Sequence, residues 1–123
     1  MKKKILLIDD DTYTRELYHD LLVNEGYDVI AVSNGEQGLV EAVNGGFNLI
    51  LLDVIMPKMD GLSFMREYTV LQPNLQNGPL IMLTVLEDES IIKGCLALGA
   101  AGYLIKSALT PEDIIREVKT YLS

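Results

Sequence analysis

One cysteine, Cys95, stands in a chain of 123 residues, and that scarcity excludes an internal disulfide and any multi-cysteine metal site. It fits a reducing compartment. No apolar run approaches the length of a membrane span. The start, Met1-Lys2-Lys3-Lys4 followed by Ile5-Leu6-Leu7-Ile8, has the outline of a signal peptide. Its apolar stretch is only four residues long, however, and ends in three acids, Asp9-Asp10-Asp11. It is therefore a strand and not the hydrophobic region of a leader. A soluble, cytoplasmic protein without membrane association is expected. Basic residues are scarce too, ten Lys and Arg against eighteen Asp and Glu, for a net charge of −8. Phosphate backbones are held by clustered Lys and Arg, so direct nucleic-acid binding is not expected. Lys2 to Lys4 form the only basic run, a solvated approach to the first strand. Repeats, low-complexity stretches and linkers are absent.

The composition, 49% apolar and 23% charged, is that of a globular chain. Its length suits one domain over residues 1–123 with a two-sided core. Short apolar runs alternate with helical periodicity. Ile5–Ile8 is the first strand, followed by a helix capped by Asp11 or Thr12, striped with Leu17, Tyr18, Leu21 and Leu22, and closed at Asn24 and Gly26. Tyr27–Val32 is the second strand. Ser33 and Glu36 have capping-box spacing before a helix that turns Leu39, Ala42 and Val43 inward. Leu49–Leu52 is the third strand, ending in Asp53. Asp60 caps a helix with Leu62, Met65 and Thr69 on one face, and Gln72-Pro73 ends it. Pro79–Thr84 is the fourth strand, and Ser90–Leu98 a helix bearing Ile91, Cys95 and Leu98. Ala101–Ile105 is the fifth strand, ending in Lys106. Thr110-Pro111-Glu112-Asp113 then opens a helix that buries Ile114, Ile115, Val118 and Leu122.

Five strand–helix pairs with short connections predict an α/β fold, a doubly wound parallel sheet with helices on both faces. Strands apolar along their whole length require that double cover. The expected order is 2-1-3-4-5, flavodoxin-like, with its switch point between strands 1 and 3. Ligands of such sheets bind at the carboxyl ends of the strands, where Asp9, Asp10, Asp11, Asp53, Thr84 and Lys106 collect.

Carboxylates crowded together raise one another's pKa, and a hard divalent cation relieves that cost. Mg²⁺ takes one or two carboxylates, keeps several waters and favours phosphate oxygens as further ligands. Lys106 offers a charge to a phosphoryl oxygen, Thr84 a hydroxyl, and Asp53 a nucleophilic carboxylate for an aspartyl-phosphate. Taken singly, Asp11 is better read as a helix cap, Thr84 as a strand residue, Lys106 as a solvated charge, Cys95 as core and His19 as helix surface. Their conjunction at four strand ends is far more specific.

These segments resemble the receiver domains of two-component response regulators. The matching stretches are Ile5–Asp11, Leu51–Gly61, Ile81–Thr84 and Gly99–Lys106, and the resemblance covers essentially the whole chain. It implies that Asp53 accepts a phosphoryl group from the phosphohistidine of a sensor histidine kinase. It implies Mg²⁺ (or Mn²⁺) held directly by Asp10 and Asp53 with the backbone carbonyl of Ile55, and by Asp9 largely through water. Thr84 and Lys106 would contact the phosphoryl group, and Tyr103 would be the rotating aromatic of the switch. The fourth helix, fifth strand and fifth helix would form the surface that changes partners, a downstream effector domain or protein, with Ile91, Ile92 and Leu96 serving core and interface alike. Homodimerisation on phosphorylation is left open.

Two positions depart from the family pattern. Ser107 follows Lys106 where proline and a cis bond are usual, and Val85 follows Thr84 where a small residue is usual. A cis bond to serine would cost about 2.5–4 kcal/mol, and a trans bond could displace Lys106. Val85 should narrow access to Asp53 and slow phosphoryl gain and loss. The alternative to a phosphorylated switch is a pseudo-receiver, an interaction module never phosphorylated in the cell. A phosphatase is disfavoured because Ile55 stands where a proton-donating acid would be needed. Flavin binding is disfavoured because no Ser/Thr/Gly-rich loop follows the first strand. The chain ends at Ser123, which leaves open a stand-alone receiver or the front of a longer regulator.

Overall fold

The computed structural model describes residues 2–56, 59–71, 76–84 and 89–122. Strands β1 (Lys4–Ile8), β2 (Asp28–Val32), β3 (Leu49–Asp53), β4 (Leu80–Thr84) and β5 (Gly102–Ile105) alternate with helices α1 (Thr12–Asn24), α2 (Gly35–Asn44), α3 (Gly61–Leu71), α4 (Glu89–Ala97) and α5 (Pro111–Leu122). The strands form one parallel sheet in the order β2-β1-β3-β4-β5. The fold is the doubly wound, flavodoxin-like architecture expected from the sequence.

Although the central strands are apolar throughout, their side chains divide by the two-residue period of a strand. Ile5, Leu7, Leu49, Leu51, Ile81 and Leu83 pack with Tyr18 and Leu22 of α1 and with Ile114, Ile115, Val118 and Leu122 of α5. Leu6, Ile8, Ile50, Leu52 and Met82 pack on the other face with Ala42, Phe64, Met65, Tyr68 and Cys95 of α2, α3 and α4. The register Ile8↔Leu52 puts Asp9 and Asp53 one step beyond a paired position of adjacent strands. Both continue the stripe that faces α1 and α5, Ile5-Leu7-Asp9 and Leu49-Leu51-Asp53, and Lys106 continues it from Leu104. Strand parity alone aims these three side chains into one crevice.

The helix ends follow local chemistry. Asp11 caps α1, accepting from Thr14 N–H at 2.8 Å, and Gly26 takes the positive φ of 96° that turns the chain into β2. Thr110 and Asp113 cap α5 reciprocally, Thr110 Oγ1 accepting from Asp113 N–H at 3.1 Å and Asp113 Oδ2 from Thr110 N–H at 3.2 Å.

Three expectations need correction. The α2 cap is Asn34, whose Oδ1 accepts from Gln37 N–H at 2.9 Å, one residue later than the Ser33–Glu36 pair. Ser33 instead donates its N–H to the Gln37 side chain at 3.2 Å. The helix turns Gly38 and Ala42 inward, keeps Leu39 half-buried, and leaves Val43 53% exposed. On α3, capped as expected by Asp60 accepting from Ser63 N–H at 2.8 Å, the buried face is Phe64, Met65 and Tyr68. Leu62 packs only at its edge, and Thr69 spends its hydroxyl on the carbonyl of Leu98 at 2.8 Å. The expected stop at Gln72-Pro73 lies outside the described residues.

Candidate functional site

Asp9 is fully buried and pinned at four points. Its N–H donates to the Val32 carbonyl at 3.1 Å, so the β1–β2 ladder runs one residue past the strand. Its Oδ1 accepts from Asp11 N–H at 3.0 Å, its Oδ2 from Lys106 Nζ at 2.9 Å, and its carbonyl from Arg15 Nη1 at 2.9 Å. Asp53, at the tip of β3, is also buried. Its Oδ1 accepts from Ile55 N–H at 3.1 Å, and its Oδ2 lies 3.6 Å from Lys106 Nζ. Lys106 thus spans the two acids with its ammonium, while its own N–H donates to the Thr84 carbonyl at 2.7 Å. That backbone bond ties the ends of β4 and β5 together and holds Thr84, 1% exposed, beside the crevice. Asp10 is half-buried. Carboxylate oxygens of Asp9, Asp10 and Asp53 all lie within 4.8 Å of one another.

Burial pushes the Asp53 carboxyl up to about 7, against the pull of Lys106 and the Ile55 N–H; Asp9 and Asp10 add to the rise. For Lys106, burial works against the charge, but Asp53 and Asp9 outweigh it and hold the ammonium above the ordinary lysine value. Asp11, by contrast, is held below the ordinary carboxylate value by its hydrogen bonds from Thr14, as a cap should be.

A cation with ligand bonds of about 2.1 Å spans oxygens up to about 4.2 Å apart, so the acidic triad needs only slight closure to hold one. The donor set is all oxygen and hard, which suits a small divalent ion. The crevice therefore gathers oxygen donors that could hold a cation, with the Asp53 carboxylate and the Lys106 ammonium beside them.

Asp9, Asp10, Asp53, Ile55, Thr84 and Lys106 are thus brought to one edge of the sheet. Tyr103 is not among them. It stands on β5, 46% exposed, and lines a separate cleft of about 220 Å³ with Glu89 and Ile92 of α4 and Ile105. Val85 lies outside the described residues. The Lys106–Ser107 peptide is trans, and the ammonium nonetheless reaches both acids. Arg15 was missed from sequence. Its signal is a cation in the first turns of a helix whose positive end disfavours one, just after three acids.

Residues 5–119 match the family model described as the response regulator receiver domain. The chain is 36% identical over 122 residues to the alkaline phosphatase synthesis transcriptional regulatory protein PhoP of Bacillus subtilis (strain 168), covering 99% of this chain and 49% of that protein. It is 38% identical over 120 residues to the transcriptional regulatory protein CpxR homolog of Haemophilus influenzae, covering 97% and 50%. It spans about half the length of the curated relatives it matches. Among solved structures, the CheY-like response regulator receiver domain protein of Methanospirillum hungatei superimposes with a TM-score of 0.88 at 30% identity, covering 99% of this chain and 94% of that one. The response regulator protein TrrA of Thermotoga maritima, in complex with Mg²⁺ and BeF, superimposes with a TM-score of 0.82 at 30% identity, covering 98% and 99%. No described helix is long and apolar enough to cross a membrane.

Proposed function

This chain belongs to the response regulator receiver domains of two-component signalling systems, and from that membership we propose that Asp53 is its phosphoacceptor. Such domains are switches thrown by aspartate phosphorylation with a divalent metal ion, catalyse only their own phosphorylation and dephosphorylation, and work between histidine kinases and downstream effectors. On our reading residues 1–123 form a single receiver domain, set in the cytoplasm and served by a sensor histidine kinase.

The carrying observation is the convergence of Asp9, Asp10 and Asp53 within 4.8 Å, with Lys106 bridging Asp9 and Asp53. Asp10 and Asp53, with the Ile55 carbonyl, would hold Mg²⁺ directly. Both Asp9 oxygens already accept hydrogen bonds, which suits a contact through water. The bound ion supplies charge neutralisation for the phosphoryl oxygens and for the crowded acids. An oxygen of Asp53 attacks phosphorus in line, the P–N bond to the kinase imidazole breaks, and its electron pair returns to the ring nitrogen. Lys106 then turns from the carboxylate to a phosphoryl oxygen, and Thr84 donates its hydroxyl to another. Little else is required, since phosphoryl transfer of this kind rests on positioning and charge. Tyr103, at the α4–β5 cleft, is the residue we assign to relaying the change to the face formed by α4, β5 and α5, where an effector or a second copy would bind.

Incubation with Mg²⁺ and acetyl phosphate tests the reading by intact mass. One phosphoryl group should be gained by the wild type, none without Mg²⁺, and none by Asp53→Ala. A gain that persists in Asp53→Ala would overturn the assignment.

A further inference from the structure

Arg15 stands where the end of α1 disfavours a cation, although its charge also favours the ionised Asp11 cap. It lies four residues past the Asp11 cap, where the partial positive charge of the helix end repels a cation. Its side chain is half-buried, and Nη1 turns back across the acidic turn to donate to the carbonyl of Asp9 at 2.9 Å. That carbonyl belongs to the peptide joining Asp9 to Asp10. The plane on the other side of Asp9 is fixed by its N–H bond to Val32, and the Asp11 N–H is fixed by Asp9 Oδ1. Asp10 therefore sits between two anchored peptides, and Arg15 supplies one of the anchors. No hydrogen bond among the described residues reaches the Asp10 carboxylate itself.

We propose that Arg15 is a positioning residue of the acidic crevice, holding the Asp9–Asp10 peptide so that the Asp10 carboxylate is presented to a divalent cation. This rests on the metal-dependent reading above. It also makes a claim with a definite sign. As a bare charge, Arg15 repels a divalent ion, so its removal should tighten cation binding. As an anchor, its removal should loosen binding, because partners that orient metal ligands are commonly worth ten- to a hundredfold in affinity.

The measurement is Mg²⁺ affinity by calorimetry on wild type and Arg15→Met, together with amide hydrogen exchange. The expected result is a Mg²⁺ dissociation constant raised about tenfold. Faster exchange should be confined to the Asp11 amide, whose hydrogen bond to Asp9 Oδ1 depends on the anchored turn. An affinity unchanged or tightened, or exchange quickened throughout α1 and the sheet, overturns the proposal. Should Arg15→Met fail to fold, Arg15→Lys decides. It keeps the charge and most of the stem but stops short of the Nη1 position, so weakened Mg²⁺ binding supports anchoring and wild-type affinity refutes it. If the wild type itself neither binds Mg²⁺ nor takes a phosphoryl group, the metal-dependent reading is what has failed. If it does both and Arg15→Met matches it, only the positioning role has failed.

Discussion

Lys106 Nζ donates to Asp9 Oδ2 at 2.9 Å, closer than its 3.6 Å approach to Asp53, so the ammonium is anchored on Asp9 and not on the proposed phosphoacceptor. Asp9 is fully buried and Lys106 side-chain exposure is 10%, which keeps the pair clear of solvent screening. Anchored there, Lys106 stays within reach of whatever replaces the free carboxylate of Asp53.

Removing one member of a buried ion pair strands the other, at about 3–5 kcal/mol. Lys106→Met should accordingly lose stability of that order at pH 7.5 without divalent cations, measured by urea unfolding. Asp9→Asn introduced into the same chain should restore much of it, because no uncompensated charge then remains on that strand. A loss below about 1 kcal/mol in the single variant would mean that the pair behaves as a solvated surface contact.

The Asp53 carboxyl titrates near 7 in the folded, metal-free protein, against a value of 3.8 for an ordinary aspartate, because burial outweighs the attraction of Lys106. The folded state therefore keeps a proton that the unfolded chain gives up. Stability from this group is complete below about pH 4 and is lost progressively as pH rises to about 7. A shift of that size corresponds to a few kcal/mol. Asp53→Asn lacks this dependence, so its stability advantage over wild type should grow between pH 4 and pH 8 in the absence of divalent cations. Saturating Mg²⁺ should narrow that advantage at pH 8 by stabilising the wild type, about 2.7 kcal/mol at a hundred times its dissociation constant. A difference that stays flat with pH would place the Asp53 titration at its ordinary value.

The strand ends were legible because burial leaves so few reasons for a charge there. Asp53 closes an apolar run, Lys106 follows another, and the 2-1-3-4-5 order puts Asp9 next to Asp53 without any knowledge of side-chain geometry. Helix faces were less legible where small residues pack. Gly38 faces Ile8 so closely that a Cβ would lie 2.5 Å from Ile8 Cδ1, and a periodicity counted on large apolar residues overlooks such a position. Gly38 and Ala42 therefore form the inward face, and Val43 lies outside it. Arg15 escaped for another reason, since its partner is a backbone carbonyl and carbonyls leave no mark on composition.

Gly61 packs directly on Val54, the residue that follows Asp53. Its N–H donates to the Val54 carbonyl at 2.9 Å, and a Cβ there would sit 2.6 Å from Val54 Cα, a backbone atom that cannot swing aside. Gly61→Ala must therefore push Val54 outward, straining its N–H bond to Leu83 at 3.2 Å and the neighbouring Ile55 N–H bond to Asp53 Oδ1. Forcing bulk into a packed contact of this kind costs about 1–3 kcal/mol. Gly99→Ala is the matched comparison, for φ there is +110° with nothing within 4 Å, so its cost is backbone strain remote from the crevice. Both variants should lose stability in urea. At a temperature where both remain folded, only Gly61→Ala should also take up phosphate from acetyl phosphate more slowly at saturating Mg²⁺. Equal rates in the two variants would show that the Gly61–Val54 contact does not set the attitude of the Asp53 carboxylate.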